Sequence, residues 1–500
     1  MRVLDPYVMG ALVLLGLHAT WGFLRFWFRR EHVGQPVLYA LLSVSMLYGI
    51  ARILVGWYNA LGIAQPEHAD AEPGLTVAVF ITSSPGEPRE MFDRTLEAAA
   101  RIAYPHTTYL LDDTEDPEIA RIAERHGAVR LRLVGLPGAK AGKINAALAQ
   151  TSEDFVLVLD PDHVPFPELL DRVLGHFRDP RVGFVQVSQA YHNAGASFVA
   201  RAAAQQTYAF YGPTLQGMYG HGTSVVIGAN GTFRRVALES VGGHGVGLAE
   251  DLITAIRMHA KGWRSVYVPE VVSRGLVPED LGTMRRQQLK WARGVWEVLL
   301  VELPRAFRGL TLRQRLSYAM IGTYYLFGLT TAVYTAIPLL YLAFRWLPAS
   351  VDVSEYLQHA VPFGTVAVLV YLYAQRFLCD PRRERGLHVS GMLLKLGLWP
   401  VYLHGTLLAF LRRDVPYIPT PKEAQRGSFW RLARAPLALL ALTLALVLKT
   451  ILERLYVLPE AEVRVSTGVV WGMIVFALLN AIYALAVTYA AWQAARLPRR

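Results

Sequence analysis

Apolar runs long enough to cross a bilayer stand at both ends of this chain, while the stretch between them, 75–309, carries charge every few residues. A helix needs about 20 apolar residues to traverse a hydrocarbon core of ~30 Å, so the chain is built as membrane, soluble domain, membrane. Six spans are expected: 8–24 and 37–57 ahead of the soluble stretch, then 317–344, 361–378, 437–452 and 468–492. The first reads as a span rather than a signal peptide, because only Arg2 supplies early charge and no small-residue cleavage site precedes the second run. A seventh apolar stretch, 389–411, is interrupted by Lys395, Pro400 and His404; Arg382, Arg383 and Arg385 precede it and Arg412 and Arg413 follow. Like-charged flanks suit a segment lying along the inner interface. The expected division is two N-terminal transmembrane helices in 1–62, a cytosolic domain in 72–309, and in 310–500 four further spans, an interfacial helix at 389–412 and a loop at 414–427.

Charge sets the orientation. With the soluble domain in the cytosol, Asp352, Glu355, Glu460 and Glu462 fall outside and the basic clusters inside, whereas Arg25, Arg29 and Arg30 run against the rule. The expected location is the inner (cytoplasmic) membrane. The net charge of +11 gathers beside the spans instead of along an aromatic-lined surface, so nucleic acid is not the expected partner. Cys379 stands alone, which excludes an internal disulfide and a multi-cysteine metal site, and suits a reducing compartment.

In the soluble stretch, short branched apolar runs alternate with helical patterns. Strands are expected at 75–81, 108–111, 129–134, 155–159, 182–187 and 225–227, with helices at 88–102, 117–126 and 143–150 among the connections. That alternation makes a mostly parallel sheet covered by helices, whose ligands bind at the carboxyl ends of the strands. The acidic motifs stand at those ends. Strand 155–159 runs into Asp160-Pro-Asp162-His163, and a side-chain period of two lets both carboxylates point one way. Such a hard-oxygen pair suits Mg2+ or Mn2+ shared with substrate phosphates, although an Asp-Pro turn capping the next helix has the same sequence. Asp112 and Asp113 end an earlier strand, at a sheet edge that can take a nucleoside, a pair that alone carries little. The run Gly138-Ala-Lys140-Ala-Gly142-Lys143-Ile-Asn145 opens a helix whose amino end favours anions, so Lys140 is a phosphate contact or a solvated basic turn. Glu250 and Asp251 begin another helix, placing a carboxylate for proton transfer or merely an acidic first turn. The run Arg285-Arg-Gln287-Gln288-Leu-Lys290-Trp291 combines amide, amine and indole ahead of the membrane; Trp291 stacks on a sugar or anchors at the interface.

Taken in order, Asp112-Asp113, Lys140-Ala-Gly142, Asp160-Pro-Asp162, Glu250-Asp251 and Gln287-Gln-Leu-Lys290-Trp291 resemble the processive family 2 glycosyltransferases, such as bacterial cellulose synthase catalytic subunits. Further resemblance lies in Gly228-Ala-Asn230-Gly-Thr-Phe-Arg234-Arg235, Gly242-Gly243, Lys261-Gly-Trp263 and Gly275-Leu-Val-Pro278-Glu279. Curdlan, hyaluronan and chitin synthases share much of it. The resemblance implies a GT-A glycosyltransferase domain inserted between transmembrane helices. It also implies one inverting displacement from a UDP-sugar, UDP-glucose first, and a β-glucan-like polysaccharide passed through a channel between the spans. Thr82 and Asp112 would meet the uridine, Asp160, Asp162 and His163 would hold Mg2+ or Mn2+, and Asp251 would be the general base. Lys140, Gln287 and Lys290 would face the diphosphate, and Trp291 the acceptor sugar, near Gly228 and Asn230. Tyr417-Ile-Pro-Thr420-Pro421-Lys422 resembles a gating loop, with Thr420 and Lys422 over the diphosphate. The growing polysaccharide, the bilayer and export accessory proteins would be the partners. No stretch after the last span would hold a cyclic-di-GMP-binding domain, so such control is not expected from this chain alone.

Four positions depart from the pattern: Ala249 in place of threonine, Lys290 for arginine, Lys143 for asparagine, and Gly228-Ala-Asn230 for a cysteine-glycine-serine-like loop. A lysine lacks the bidentate fork of arginine, so the diphosphate contact is shaped differently, and a 1,4 linkage does not follow. Two other readings are a single transfer to a lipid phosphate, which leaves the Gln287 to Trp291 run without a purpose, and a transporter whose soluble domain only binds nucleotide. A transporter generally places ionisable residues inside its spans, and such residues are few here.

Overall fold

The computed structural model describes residues 4–413, 415, 419–456 and 460–498, with side chains of the last segment from 468 onward. Six helices are long and apolar enough to cross a membrane: Asp5–Trp27, Pro36–Leu61, Leu312–Phe344, Val353–Phe377, Phe429–Tyr456 and Gly468–Arg496. All six fall where apolar runs were expected. The interrupted seventh stretch forms two helices, Val389–Gly397 and Trp399–Phe410, bent by 48° at the break just ahead of Pro400. A pair so bent is a broken span or a re-entrant segment.

The loops after the first and third spans meet. Val33 bridges Ala349, and Arg29 pairs with Glu355 at 2.9 Å. One of the three arginines that run against the charge rule thus has its counter-ion in the first turn of the fourth span, and the two loops share a side.

Between the second and third spans lies a seven-stranded sheet. Its strands are β1 (Val77–Thr82), β2 (Thr107–Asp112), β3 (Val129–Arg132), β4 (Phe155–Leu159), β6 (Val182–Val187), β7 (Gly231–Arg234) and β8 (Arg264–Val268), in the order β3-β2-β1-β4-β7-β6-β8. Two short strands, β5 (Val164–Pro165) and β9 (Ser273–Arg274), pair antiparallel beside it. Only β7 runs against its neighbours in the larger sheet. The strands β1, β4 and β6 are buried on both faces because helices cover both. Ala78, Phe80, Val156 and Val158 pack into one core, and Val77, Val79, Ile81, Phe155, Leu157 and Leu159 into the other.

Two strand expectations need correction. Residues 225–227 are branched, with Val225 and Val226 buried, yet form no strand, because side-chain amides stand in for a ladder: Gln186 accepts from the Ile227 amide at 3.1 Å and Gln189 donates to its carbonyl at 2.7 Å. The strand comes four residues later, at β7. The other correction is β8, whose polar opening, Arg264-Ser265, hid an edge strand.

Glycines seat the soluble domain on the second span. A Cβ on Gly217 would lie 2.0 Å from the Asn59 carbonyl oxygen, and one on Gly220 would lie 1.9 Å from that of Gly62. Just before Gly217 the Gln216 side chain donates to the Phe377 carbonyl at 2.5 Å, which ties in the fourth span.

Candidate active site

The carboxyl ends of β1 and β4 open on a cavity of about 590 Å³. At the end of β4 the chain turns through Asp160, Pro161, Asp162 and His163, all on the cavity wall. One ligand atom from each of Asp160, Asp162 and His163 lies within 4.8 Å of the others. The His163 ring is buried against Gly275, and neither ring nitrogen has a hydrogen-bond partner. Two carboxylates and an unengaged imidazole nitrogen form a donor set that fits Mg2+ or Mn2+.

Each acid also faces an amine. Lys140, at the start of the Ala139–Leu148 helix, donates to Asp160 and, at 2.5 Å, to the Gly228 carbonyl. Lys422 donates to Asp162 at 2.8 Å, and the Leu276 amide adds a bond at 3.2 Å. Desolvation in the cavity opposes ionisation of both acids. Lys140 and Lys422 outweigh it for Asp160, and Lys422 with His163 outweighs it for Asp162, so both are held below the usual carboxylate range. The same pairings hold both ammonium groups up against the opposing effect of burial.

Glu250 and Asp251 open the Glu250–Ala260 helix on the opposite wall. Their placement is secured from the Lys140 helix, where Asn145 donates to the His244 carbonyl at 2.9 Å and accepts from its amide at 2.6 Å. That clamp brings the 244–250 loop over the site. Burial, and next the charge of Glu250, push the Asp251 carboxyl up to about 7. Burial raises Glu250 as well, against the pull of Lys140 and Lys290. A carboxylate so poised is suited to accept a proton near neutral pH.

The Leu281–Glu297 helix supplies Gln287, Gln288, Lys290 and Trp291 to the same cavity. Asp280 caps it by accepting from the Thr283 amide at 2.9 Å, and Gly294 lets it close on Leu248 and Ala249. Burial pulls the Lys290 ammonium down, with Glu250 opposing. Trp291 stays 39% exposed, its indole available to a ligand in the cavity. Thr420, Pro421 and Lys422 complete the roof, where Gln425 donates from its amide to Asp280 at 3.0 Å. Tyr417 and Ile418 of the expected gating loop lie outside the described residues.

Of the residues singled out in the sequence, Thr82, Lys140, Asp160, Asp162, His163, Gly228, Glu250, Asp251, Gln287, Lys290, Trp291, Thr420 and Lys422 line this one cavity. Asp112, Asp113 and Asn230 do not. Asp112 is fully buried at the end of β2, where its carboxylate accepts from Ser83 Oγ at 3.0 Å, the Thr114 amide at 2.9 Å and Arg130 Nε at 2.6 Å. It fastens the loops beside the cavity and does not itself line it. Asp113 pairs with Lys143 at 3.3 Å, and Lys143 is the one that reaches the cavity. Asn230 is fully buried with φ of 60°, a turn residue leading into β7. Several wall residues escaped the sequence reading, among them Glu87, Gln189, Tyr191, Tyr211 and Arg52. Each stands alone in its segment, without a spacing to mark it.

Comparison with known proteins agrees with the motif resemblance. Residues 73–294 match the family described as glycosyltransferase like family 2, and residues 239–357 match the family described as cellulose synthase. A cellulose synthase catalytic subunit (UDP-forming) of Komagataeibacter sucrofermentans is 30% identical over 325 residues, 62% of this chain and 43% of that protein. A protein of the same description from Xanthomonas axonopodis pv. citri is 29% identical over 337 residues, 63% of this chain and 46% of its own length. The aligned region thus spans less than half the length of either relative. The mannosyltransferase PcManGT from Pyrobaculum calidifontis, solved with GDP-Man and Mn2+, superposes with a TM-score of 0.52 at 18% identity, over 75% of this chain and all of that one. The soluble domain has the GT-A-like fold.

Proposed function

We propose that this protein is an inverting, processive glycosyltransferase that draws sugar from a UDP-sugar and lengthens a β-linked polysaccharide. The observation that carries the reading is a single cavity on whose walls an acid pair with histidine, a carboxylate poised near neutrality, an exposed indole and residues of the membrane spans all stand.

The chain's own groups divide the work. Asp160, Asp162 and His163 would hold Mg2+ or Mn2+, which supplies charge neutralisation for the departing diphosphate. Lys140, Lys290 and Lys422 converge on that side and bind the same phosphates. Trp291 holds the terminal acceptor sugar by stacking. Asp251 accepts the proton of the attacking hydroxyl as its oxygen displaces UDP at the anomeric carbon, and a single displacement inverts an α-linked donor to a β-linked product. Burial of these groups keeps water from competing for the sugar.

The cavity continues past Trp291 to Ser317, Ile321 and Tyr324 of the third span and to Arg52 and Asn59 of the second. The product leaves along that side, between helices that cross the inner membrane, with the catalytic domain in the cytosol. UDP-glucose is the first donor to test, given the relatives' description as UDP-forming cellulose synthases. The test is incubation of purified full-length protein with Mn2+ and tritiated UDP-glucose, UDP-N-acetylglucosamine or UDP-glucuronate. Glycosidase-sensitive polymer from one of them is the expected result; an organic-extractable glycolipid, or no transfer at all, would end the polymerase reading.

A further inference from the structure

The cavity treats its cations in two different ways. At the catalytic end Lys140 faces Asp160 and Lys422 faces Asp162. Toward the spans it is lined by two more cations, Arg52 and Lys395, and neither pairs with a carboxylate among the described residues. Both gather around one aromatic ring. The Arg52 guanidinium carbon lies 5.1 Å from the Tyr324 ring centroid and Lys395 Nζ lies 4.6 Å from it, with Phe327 at 4.9 Å from the same ammonium. Arg52 also donates to the Met320 carbonyl at 2.5 Å, where the third span breaks. That bond engages one of five guanidinium donors.

The depth of Arg52 makes its charge costly. Arg52 stands nine residues before Leu61 in the Pro36–Leu61 span, about 14 Å from the cytosolic-domain end at 1.5 Å per residue. Lys395 lies in the first arm of the bent helix pair, against the Phe198–Ala209 helix that forms the adjacent wall. A cation at such depth is expensive unless it meets an anion, and π-faces compensate it only in part. Two of them aimed into one cavity, neither in an ion pair with an acid among the described residues, are matched to an anion that passes through.

We propose that Arg52 and Lys395 form an anion station in the exit half of the cavity, occupied by the carboxylates of an acidic sugar chain, one built from a uronate donor. This rests on the polymerase reading and narrows its substrate class. A neutral glucan would need stacking and hydroxyl partners there and would leave both charges unmet.

The probes are a β-1,4-linked glucose hexamer and a β-1,4-linked glucuronate hexamer, titrated onto the full-length protein in neutral detergent at 50 mM NaCl. The acidic hexamer is expected to bind at least tenfold more tightly, and Lys395→Met should bring the two to parity while leaving UDP affinity and the neutral hexamer unchanged. Arg52→Gln should act in the same direction. If the loss of its bond to Met320 unfolds that variant, as absent UDP binding would reveal, Lys395→Met alone decides. Equal affinities in the unaltered protein, or a preference that survives Lys395→Met, overturns the anion station and leaves the polymerase reading standing. If neither hexamer binds, both fall together.

Discussion

Replacing Asp251 with asparagine keeps the side chain's shape and removes its ability to take a proton. A positioned general base contributes about 10²- to 10⁴-fold to rate, or roughly 3–5 kcal/mol of barrier, and turnover of Asp251→Asn should fall by that factor. The unaltered enzyme carries a second signature. With the carboxyl pushed up to about 7 by burial and by Glu250, the ionised fraction is about one-eleventh at pH 6, one-half at pH 7 and ten-elevenths at pH 8. The acidic limb of kcat should follow those fractions, read as UDP release at saturating donor and Mn2+ between pH 5.5 and 8.5. Stability should move the opposite way. Because the folded carboxyl sits above its ordinary value of 3.8, the folded state binds more protons than the unfolded state between there and about pH 7. Its favourable contribution is complete below the lower value and is lost as pH rises through the upper one. Asparagine does not titrate, so the thermal midpoint of Asp251→Asn should gain on the parent as pH rises from 5 to 8. Turnover above about a tenth of the parent, or a profile flat across pH 6 to 8, would show that another group takes the proton.

Removing either metal-side acid, by Asp160→Ala or Asp162→Ala, should abolish the Mn2+-dependent part of UDP affinity measured by calorimetry; unchanged affinity in Mn2+ contradicts the ligand assignment. Lys422→Met removes the ammonium 2.8 Å from Asp162 and should slow turnover by about 10²-fold, the scale for losing one charge-stabilising donor, and should also lower the thermal midpoint because Asp162 loses its buried counter-ion. Normal kinetics in that variant would detach the 419–422 segment from catalysis. Gly217→Ala places a methyl 2.0 Å from the Asn59 carbonyl and should cost about 1–3 kcal/mol through forced separation of the soluble domain from the second span, read as a lower melting temperature in detergent.

Much of this architecture was legible because two periodicities announce themselves: apolar runs of span length, and branched runs of strand length ending in acids. β4 and β6 fall at the expected residues, since a strand buried on both faces shows an unbroken apolar run. The 225–227 run failed for the same reason in reverse. Branched and largely buried, it satisfies its backbone through Gln186 and Gln189, two amides some forty residues earlier that no local pattern connects to it. Asp112 shows what a strand-end position leaves open. Its place at a strand end is right, but whether a strand-end acid points into the cleft or back at Ser83, Thr114 and Arg130 depends on loops from three elements. Arg52 was invisible for a different cause, because one arginine inside an apolar run lowers its hydropathy only slightly and says nothing of which side faces a cavity.

The pairing of acids and amines across the catalytic end explains how so many charges coexist in a desolvated space. Asp160 with Lys140 and Asp162 with Lys422 are satisfied pairs, so the cavity does not confront water with bare charge before substrate arrives. On the proposed function, a donor diphosphate would bring the lysines a second anion and leave Asp160 and Asp162 to hold a divalent cation. The exchange conserves the number of opposite-charge contacts, which keeps the cost of entering a low-dielectric site small. Arg52 and Lys395 have no ion-paired acid among the described residues to exchange, and at the proposed anion station their partner would be the sugar chain itself. Binding of the acidic hexamer should accordingly weaken steeply with salt, while UDP held by enclosed pairs and metal should respond far less. Equal salt dependence for the two ligands would show that the exit cations are screened by water rather than poised for an anion.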